Sequence, residues 1–400
     1  MIKRVLTLVL TLVLLFGLST VALAKDQKVT IKFNGKNLTT DVDPVIRNKR
    51  TLVPVRAIAE ALGADVTYEP KTKQITIVKL QDTYIFNLDK QEVYKNGVKL
   101  QDLEVPAQEI GGRTMVPARF ITEVLGAKVD WDNSTFSVSI VHDEKRNGMT
   151  PVELYTKVAE AVYKQDTMKM KGNGSMSMKV SALPTPINIA MDFEGSYKKP
   201  FEFWMNETIK PAGPALLPNQ EPVSVEVYVN GAKMYMKALD QPWEEVPFVM
   251  PADYNNLVYN YDPAKTGELV EKFGLILSHG NEVTINGKSY YTLNLRLDDA
   301  KLKELMKQFS ANTPVMPGME LTPAEAKEAR RMAQEMLKNM RFDLSYKIFI
   351  DKDTYLIHKG NLAGQFLMNV QGEKMTMKFD FDYEVYDYGV PVTIPPVAKK

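Results

Sequence analysis

Between Lys374 and Tyr383 apolar and polar side chains alternate without a break. Met375, Met377, Phe379, Phe381 and Tyr383 fall on one side, and Lys374, Thr376, Lys378, Asp380 and Asp382 on the other. A period of two marks a strand with one dry and one wet face. The pattern returns at Ile187, Ile189, Met191 and Phe193, at Phe201, Phe203 and Met205, and at Val223, Val225, Val227 and Val229. These runs predict a wide antiparallel sheet whose greasy face needs covering by helices. Thr150-Pro151-Val152-Glu153 has the form of a capping box, opening a helix with Tyr155, Val158, Ala159 and Val162 as its stripe. A second box, Thr322 to Glu325, opens another, and helices are also expected in "AKTGELVEKFGLILS" and "DDAKLKELMKQFS".

The first third of the chain says one thing twice. "RTLVPVRAIAEALGADVTY" begins at Arg50, and "RTMVPARFITEVLGAKVDW" follows at Arg113. Each copy predicts a strand, an Asn-Gly turn (Asn34-Gly35, Asn96-Gly97), a second strand, a short helix and a closing hairpin. Pro54 and Pro117 suit the first helical position, and Gly63 and Gly126 the left-handed residue that ends a helix. Arg56 and Glu60, like Arg119 and Glu123, are four apart and so meet on one side of a helix. They are expected to brace the repeat.

The paired R-T-x-V-P-x-R…E-x-L-G-A-x-V motif resembles the copper amine oxidase N-terminal domain, a stalk-like module of bacterial exported proteins, over about residues 29–142. The resemblance implies a fold unit and no activity, since copper in such oxidases belongs to a separate catalytic domain with three histidines. This chain has only His142, His279 and His358, without metal-ligand spacing. From about residue 150 to 398, the order of helix, strands, helices and closing strands looks like the LolA-like and LppX/LprG-like lipoprotein carriers. That resemblance implies a half-open β-barrel closed by helices over a lipid-sized cavity.

The expected fold class is α+β: a duplicated small α+β repeat domain, then an antiparallel half-open β-barrel covered by helices. The expected division is a signal peptide at 1–24, a repeat domain at 25–143 with repeats near 29–80 and 90–142, a linker at 144–149, and a sheet and helix domain at 150–400. The signal segment rests on Lys3 and Arg4, the apolar run after them, and Ala22-Leu23-Ala24. An uncleaved anchor is its alternative.

Composition adds limits. With 50 basic and 49 acidic residues the net charge is +1, which argues against a nucleic-acid partner. Cysteine is absent, so disulfides, thiol nucleophiles and a cysteine-borne lipid anchor are excluded for an extracytoplasmic chain. All but Met1 and Met115 of the 21 methionines lie from Met149 onward. Core filler, a plastic cleft for an apolar ligand and a thioether Cu(I) site are the three readings of this bias. The candidate ligand-binding face is Met176, Met178, Met191, Phe193, Phe201, Phe203, Met234, Met236, Met375, Met377, Phe379 and Phe381.

No catalytic motif is found. "KGNGSMSM" (Lys171 to Met178) reads as a strand-joining turn, and "DKDT" (Asp351 to Thr354) as a hairpin turn. "DWDNSTFSVSIV" begins like a calcium loop but has Thr135 and Val141 where glycine and glutamate are needed. The expectation is a non-enzymatic exported envelope protein, without a cofactor, that binds a lipid or other apolar molecule. The alternative is a structural or adhesive envelope protein binding cell wall or protein partners.

Overall fold

The computed structural model describes residues 28–395 apart from 182, 184, 213–220, 232, 239–240, 247–261, 313–330, 332–336, 338 and 371–372. The expected signal segment and the second capping box lie outside the described residues.

The Asn-Gly turns form as expected. Asn34 and Gly35 take φ of 47° and 81°, and Asn96 and Gly97 take 52° and 81°. They join β1 (Thr30–Phe33) to β2 (Lys36–Asn37), while β8 (Val93–Lys95) is joined to β9 (Val98–Lys99). Each repeat then runs through a hairpin, β3 (Val45–Arg47) with β4 (Arg50–Pro54) and β10 (Gln108–Ile110) with β11 (Arg113–Pro117). A seven-residue helix follows, α1 (Val55–Ala61) or α2 (Ala118–Val124). Pro54 and Pro117 end the preceding strand and stand at the N-cap, one position earlier than expected. Gly63 and Gly126 follow at φ of 81° and 83°. Proline before and a left-handed glycine after hold both helices to about two turns.

The closing strands are exchanged between the repeats. Strand β1 of the first copy pairs in parallel with β13 (Ser137–Val141), which pairs with β12 (Lys128–Asp132) of the second. In return β5 (Asp65–Glu69), β6 (Gln74–Lys79) and β7 (Asp82–Asn87) carry β8 and β9. Between the two sheets β4 and β11 pair antiparallel, Val53 with Val116, Leu52 with Pro117 and Pro54 with Met115. Val53 and Val116 are equivalent residues, so a pseudo-two-fold axis passes between them. The duplication therefore builds an intramolecular dimer around one core that includes Phe33, Ile58, Leu62, Ile77, Phe86, Ile121 and Ile140.

The rest of the described chain is one antiparallel sheet. Helix α3 (Pro151–Tyr163) opens with the expected capping box, with Thr150 and Glu153 each bonded to the other's backbone N–H. Strands β14 (Thr167–Val180), β15 (Ile187–Lys198), β16 (Glu202–Ala212), β17 (Val223–Asn230), β18 (Lys233–Ala238) and β19 (Glu244–Val246) meander outward in sequence order. After α4 (Thr266–Lys272) come β20 (Leu275–His279), β21 (Val283–Ile285), β22 (Lys288–Leu297), α5 (Asp299–Asn312), β23 (Arg341–Asp351), β24 (Ile357–Val370) and β25 (Glu373–Tyr386). The two series close through β14 against β25, giving the order β19-β18-β17-β16-β15-β14-β25-β24-β23-β22-β20, with β21 on β22.

Three expectations change. Among the described residues the protein is predominantly β, with 54% strand against 16% helix, rather than clearly α+β. Helices α1, α2 and α4 run only seven residues each, while β14, β24 and β25 each run 14. "AKTGELVEKFGLILS" is helical only to Lys272, because Gly274 at φ 62° turns the chain into β20. "KGNGSMSM" is no turn. It is the middle of β14, where Gly172 and Gly174 pair opposite Tyr383 and Phe381 of β25.

The two faces of the large sheet have different tasks. At its β20–β23 end, Leu277, Leu293, Leu295, Ile348 and Ile350 pack under Leu154 and Val158 of α3 and Val270 of α4. Each fully buried aliphatic side chain there contributes roughly 1.5–3 kcal/mol. The opposite face of that end docks onto the repeat region. Ile276 joins the repeat core, Lys347 Nζ lies 2.6 Å from Asp65, Asn281 donates to Asp65 at 2.8 Å, and Arg341 reaches Asp43 at 2.6 Å. Gly63 packs so closely on the His279 carbonyl that a Cβ would overlap its oxygen. The segment expected as a linker is clamped. Arg146 bridges back to Met149 and donates to the Gly280 carbonyl at 2.6 Å.

Candidate functional site

Register places the expected greasy face on one side of the sheet. Met176 lies opposite Ile189 and Phe379, Met178 opposite Met377, Tyr197 opposite Phe203, Val229 opposite Met234, and Val227 opposite Met236. Phe381 lies opposite Leu362, and Met375 opposite Met368. Phe201 precedes β16, with its ring 6.4 Å from that of Tyr197. None of the twelve candidates is in the buried core: eleven are half-buried, and Met236 is 38% exposed.

Part of this face is hollowed into an apolar cleft of about 590 Å³. Met191, Phe193 and Phe381 line it, and the other nine candidates do not. Its remaining wall comes from residues outside the candidate list, including Tyr155 of α3, Met205, Glu207, Leu297, Leu344, Leu362 and Tyr346. Leu362 is 38% exposed, so the cleft opens to solvent. Met205 belongs to the alternating run of Phe201 and Phe203, a signal the sequence carries. The lining from α3, β22 and β23 depends on long-range packing and has no local signal.

Glycines shape this surface. Gly172 and Gly174 of β14 face Tyr383 and Phe381 of β25, while Gly360 and Gly364 of β24 face Tyr383 and Phe379 from the other side. A Cβ at Gly174 would strike the Phe381 ring, one at Gly360 the Tyr383 ring, and one at Gly172 the Phe193 ring. The glycines thus leave room for rings to lie against bare backbone. Phe379 and Phe381 stack at 5.9 Å, and Phe381 meets Phe193 edge-on at 6.4 Å. Tyr346 and Tyr383 stack at 6.1 Å with their hydroxyls bonded to each other, and burial pushes the Tyr346 hydroxyl pKa up.

The cleft lining holds two charged residues, Glu207 and Arg296. Arg296 turns its guanidinium to the other face, where Glu60 accepts from it at 2.6 Å and Asp343 at 2.8 Å. Glu207 stays on the greasy face between Phe193 and Val225. Burial raises its carboxyl pKa, and no partner among the described residues opposes that shift.

The opposite face carries polar ladders, with Lys210 paired to Asp192, Lys237 to Glu226 at 2.8 Å, and Asn361 to Asp380 and Asp382 at 2.7 and 2.9 Å.

The repeat region contributes two grooves at equivalent places. One, of about 410 Å³, is lined by Pro54, Arg56, Tyr68 and the Arg113–Asp41 pair. The other, of about 360 Å³, is lined by the counterparts Pro117, Arg119, Trp131 and the Arg50–Glu104 pair. Arg296, Asp343 and Gln365 of the sheet wall off the first only. The bracing pairs are present at 3.6 Å for Arg56–Glu60 and 3.8 Å for Arg119–Glu123, but Glu60 is also bonded to Arg296.

A buried polar cluster ties the two regions together. Glu144 accepts from Arg146 Nε at 2.5 Å, lies 2.9 Å from His142 Nε2, and sits 3.6 Å from Lys79 Nζ. Burial pushes the Glu144 pKa up, but the bonds to His142 and Arg146 and the Lys79 charge outweigh it and hold it at about 2. Desolvation lowers the pKa of His279, whose Nε2 is 2.8 Å from the Met149 carbonyl oxygen. Asp132 of the calcium-like stretch caps its own turn, accepting from Ser134 N at 2.8 Å and Ser134 Oγ at 2.6 Å. Among the described residues no group of three His, Cys, Asp or Glu could hold a metal ion, and no helix is long and apolar enough to cross a membrane.

Residues 32–140 match the copper amine oxidase N-terminal domain, as the doubled motif implies. No curated protein sequence matches the chain. Among solved structures it is similar to LprF from Mycobacterium bovis, at 14% identity over 62% of this chain and 97% of that one, with a TM-score of 0.29. It is also similar to a putative outer membrane lipoprotein-sorting protein domain from Vibrio parahaemolyticus, at 7% identity over 60% and 93%, with a TM-score of 0.21. Residues 150–400 match a family of unknown function, DUF6612, and the chain belongs to that family.

Proposed function

We propose that this is a non-enzymatic exported protein of the cell envelope that holds a lipid or other apolar molecule on the greasy face of its large sheet. The observation that carries the reading is the cleft of about 590 Å³, walled by Met191, Phe193, Met205 and Phe381 and left open where Leu362 is 38% exposed. An unfilled apolar surface of this kind costs free energy in water unless a ligand or partner covers it. Concave, mostly apolar sites with few polar groups are the usual form of small-molecule sites. Methionine walls suit hydrocarbon of varied shape, because the side chain is unbranched and polarizable. Export rests on the leader-like first 24 residues.

The test is titration of the full chain with the neutral dye Nile red, together with native mass spectrometry of the purified protein. Saturable, blue-shifted emission that Met191→Asp weakens at least tenfold is expected. A chain that neither shifts the dye nor carries an apolar molecule would overturn the reading.

A further inference from the structure

We infer that the apolar molecule held in this cleft carries a protonated amine, whose ammonium meets Glu207 while its hydrocarbon lies along Met191, Phe193, Met205 and Phe381. The inference rests on the apolar-ligand reading above and narrows it to one chemical class.

Glu207 stands on β16 at a position where register puts Phe193 on one side and Val225 on the other. It interrupts the apolar run of Phe203, Met205 and Ile209, although the strand would alternate cleanly with a hydrophobe there. The only other charged residue of the lining among the described residues, Arg296, is committed to Glu60 and Asp343. Of the cleft's hydroxyls, those of Tyr346 and Tyr383 are bonded to each other. Glu207 has no hydrogen bond or ion pair among the described residues. A carboxylate held against apolar walls is half of an ion pair, and its desolvation is offset only when a cation arrives. A neutral hydroxyl offers a hydrogen bond but leaves the charge uncompensated, and a carboxylate ligand adds repulsion. One acidic group on a greasy wall therefore discriminates among molecules with the same hydrocarbon.

The experiment displaces Nile red from the full chain at pH 7 with dodecylamine, dodecan-1-ol and dodecanoate, each below its micellar concentration. Dodecylamine is expected to bind about tenfold more tightly than the alcohol, with dodecanoate weakest. Glu207→Gln should weaken the amine about tenfold and bring it level with the alcohol. Glu207→Lys should reverse the order in favour of dodecanoate. Equal affinity of the wild-type chain for amine and alcohol would overturn this inference while leaving the apolar-ligand reading standing, as would a Gln variant that keeps the preference. If the dye and all three chains fail to bind, the apolar-ligand reading falls and this one with it.

Discussion

Glu60 and Arg296 meet across the junction of repeat and sheet, Oε2 to Nη2 at 2.6 Å, with the Arg296 side chain only 8% exposed. The second arm of the guanidinium is held by Asp343 at 2.8 Å. The repeat equivalent of Glu60 is Glu123, which is 55% exposed and, among the described residues, pairs only with Arg119 at 3.8 Å. One helical glutamate, copied, thus has two energetic weights. Glu60→Gln removes a charge partner from a buried arginine and should lower stability by about 2–4 kcal/mol, while Glu123→Gln should cost less than about 0.5 kcal/mol. Urea denaturation of both variants measures the difference. Similar losses in the two would contradict the assignment of Glu60 to the interface.

The same asymmetry separates the two helix-ending glycines. Gly63 and Gly126 share a left-handed backbone, so alanine at either carries a strain of about 1–2 kcal/mol. At Gly126 an added Cβ meets nothing within 4 Å, whereas at Gly63 it meets the His279 carbonyl. Gly63→Ala should therefore melt at a clearly lower temperature than Gly126→Ala. It should also expose residues 143–149 to protease, since the docked regions must move apart. Equal melting temperatures would count against close docking.

The pattern that announced the sheet also announced which of its faces is apolar, because alternation and register share one period. Phe379 and Phe381 were visible in this way, and so was Met191. The cleft itself was less legible. Its far wall is built by Tyr155, Leu297 and Leu344, which reach it through tertiary packing. Gly172 and Gly174 looked like a turn because glycine pairs usually are one. Here they face Tyr383 and Phe381, which are more than 200 residues away in sequence, and no local pattern carries that. Likewise, doubled R-T-x-V-P segments reveal a duplication, but not that β1 and β13 exchange partners or that only one copy docks the sheet.

Acid should loosen the junction in two stages. The pKa of His279 is lowered from 6.5 by burial, so the unfolded chain binds the proton more readily and stability begins to fall as pH drops below about 6.5. Glu144 is depressed from 4.5 to about 2 in the folded state, so its contribution is present above pH 4.5 and is lost between there and about 2. Melting temperatures from pH 8 to 2 should fall in both windows, and Glu144→Gln should flatten only the lower one. A variant profile parallel to the wild type throughout would refute the role given to Glu144.

Filling the space above a strand glycine tests the ring arrangement. Gly174→Ala places a methyl group against the Phe381 ring, and this overpacking should cost about 1–3 kcal/mol. The displaced ring should also weaken Nile red binding several-fold. Gly174→Ala combined with Phe381→Leu should regain only part of the stability, because the added methyl also meets the Asp380 carbonyl oxygen. Unchanged dye affinity and melting in the single variant would show that the ring does not rest on Gly174.

The bare backbone beneath those rings has a further consequence for what the cleft can accommodate. Rotamers can change and side chains can be trimmed, but main chain in a paired strand cannot recede. The Phe193, Phe381 and Tyr383 rings that line the cleft therefore cannot sink further towards the sheet, while Met191 and Met205 can change rotamer. On the proposed apolar-ligand reading, such a wall tolerates variation in the width of the bound molecule better than variation in its thickness.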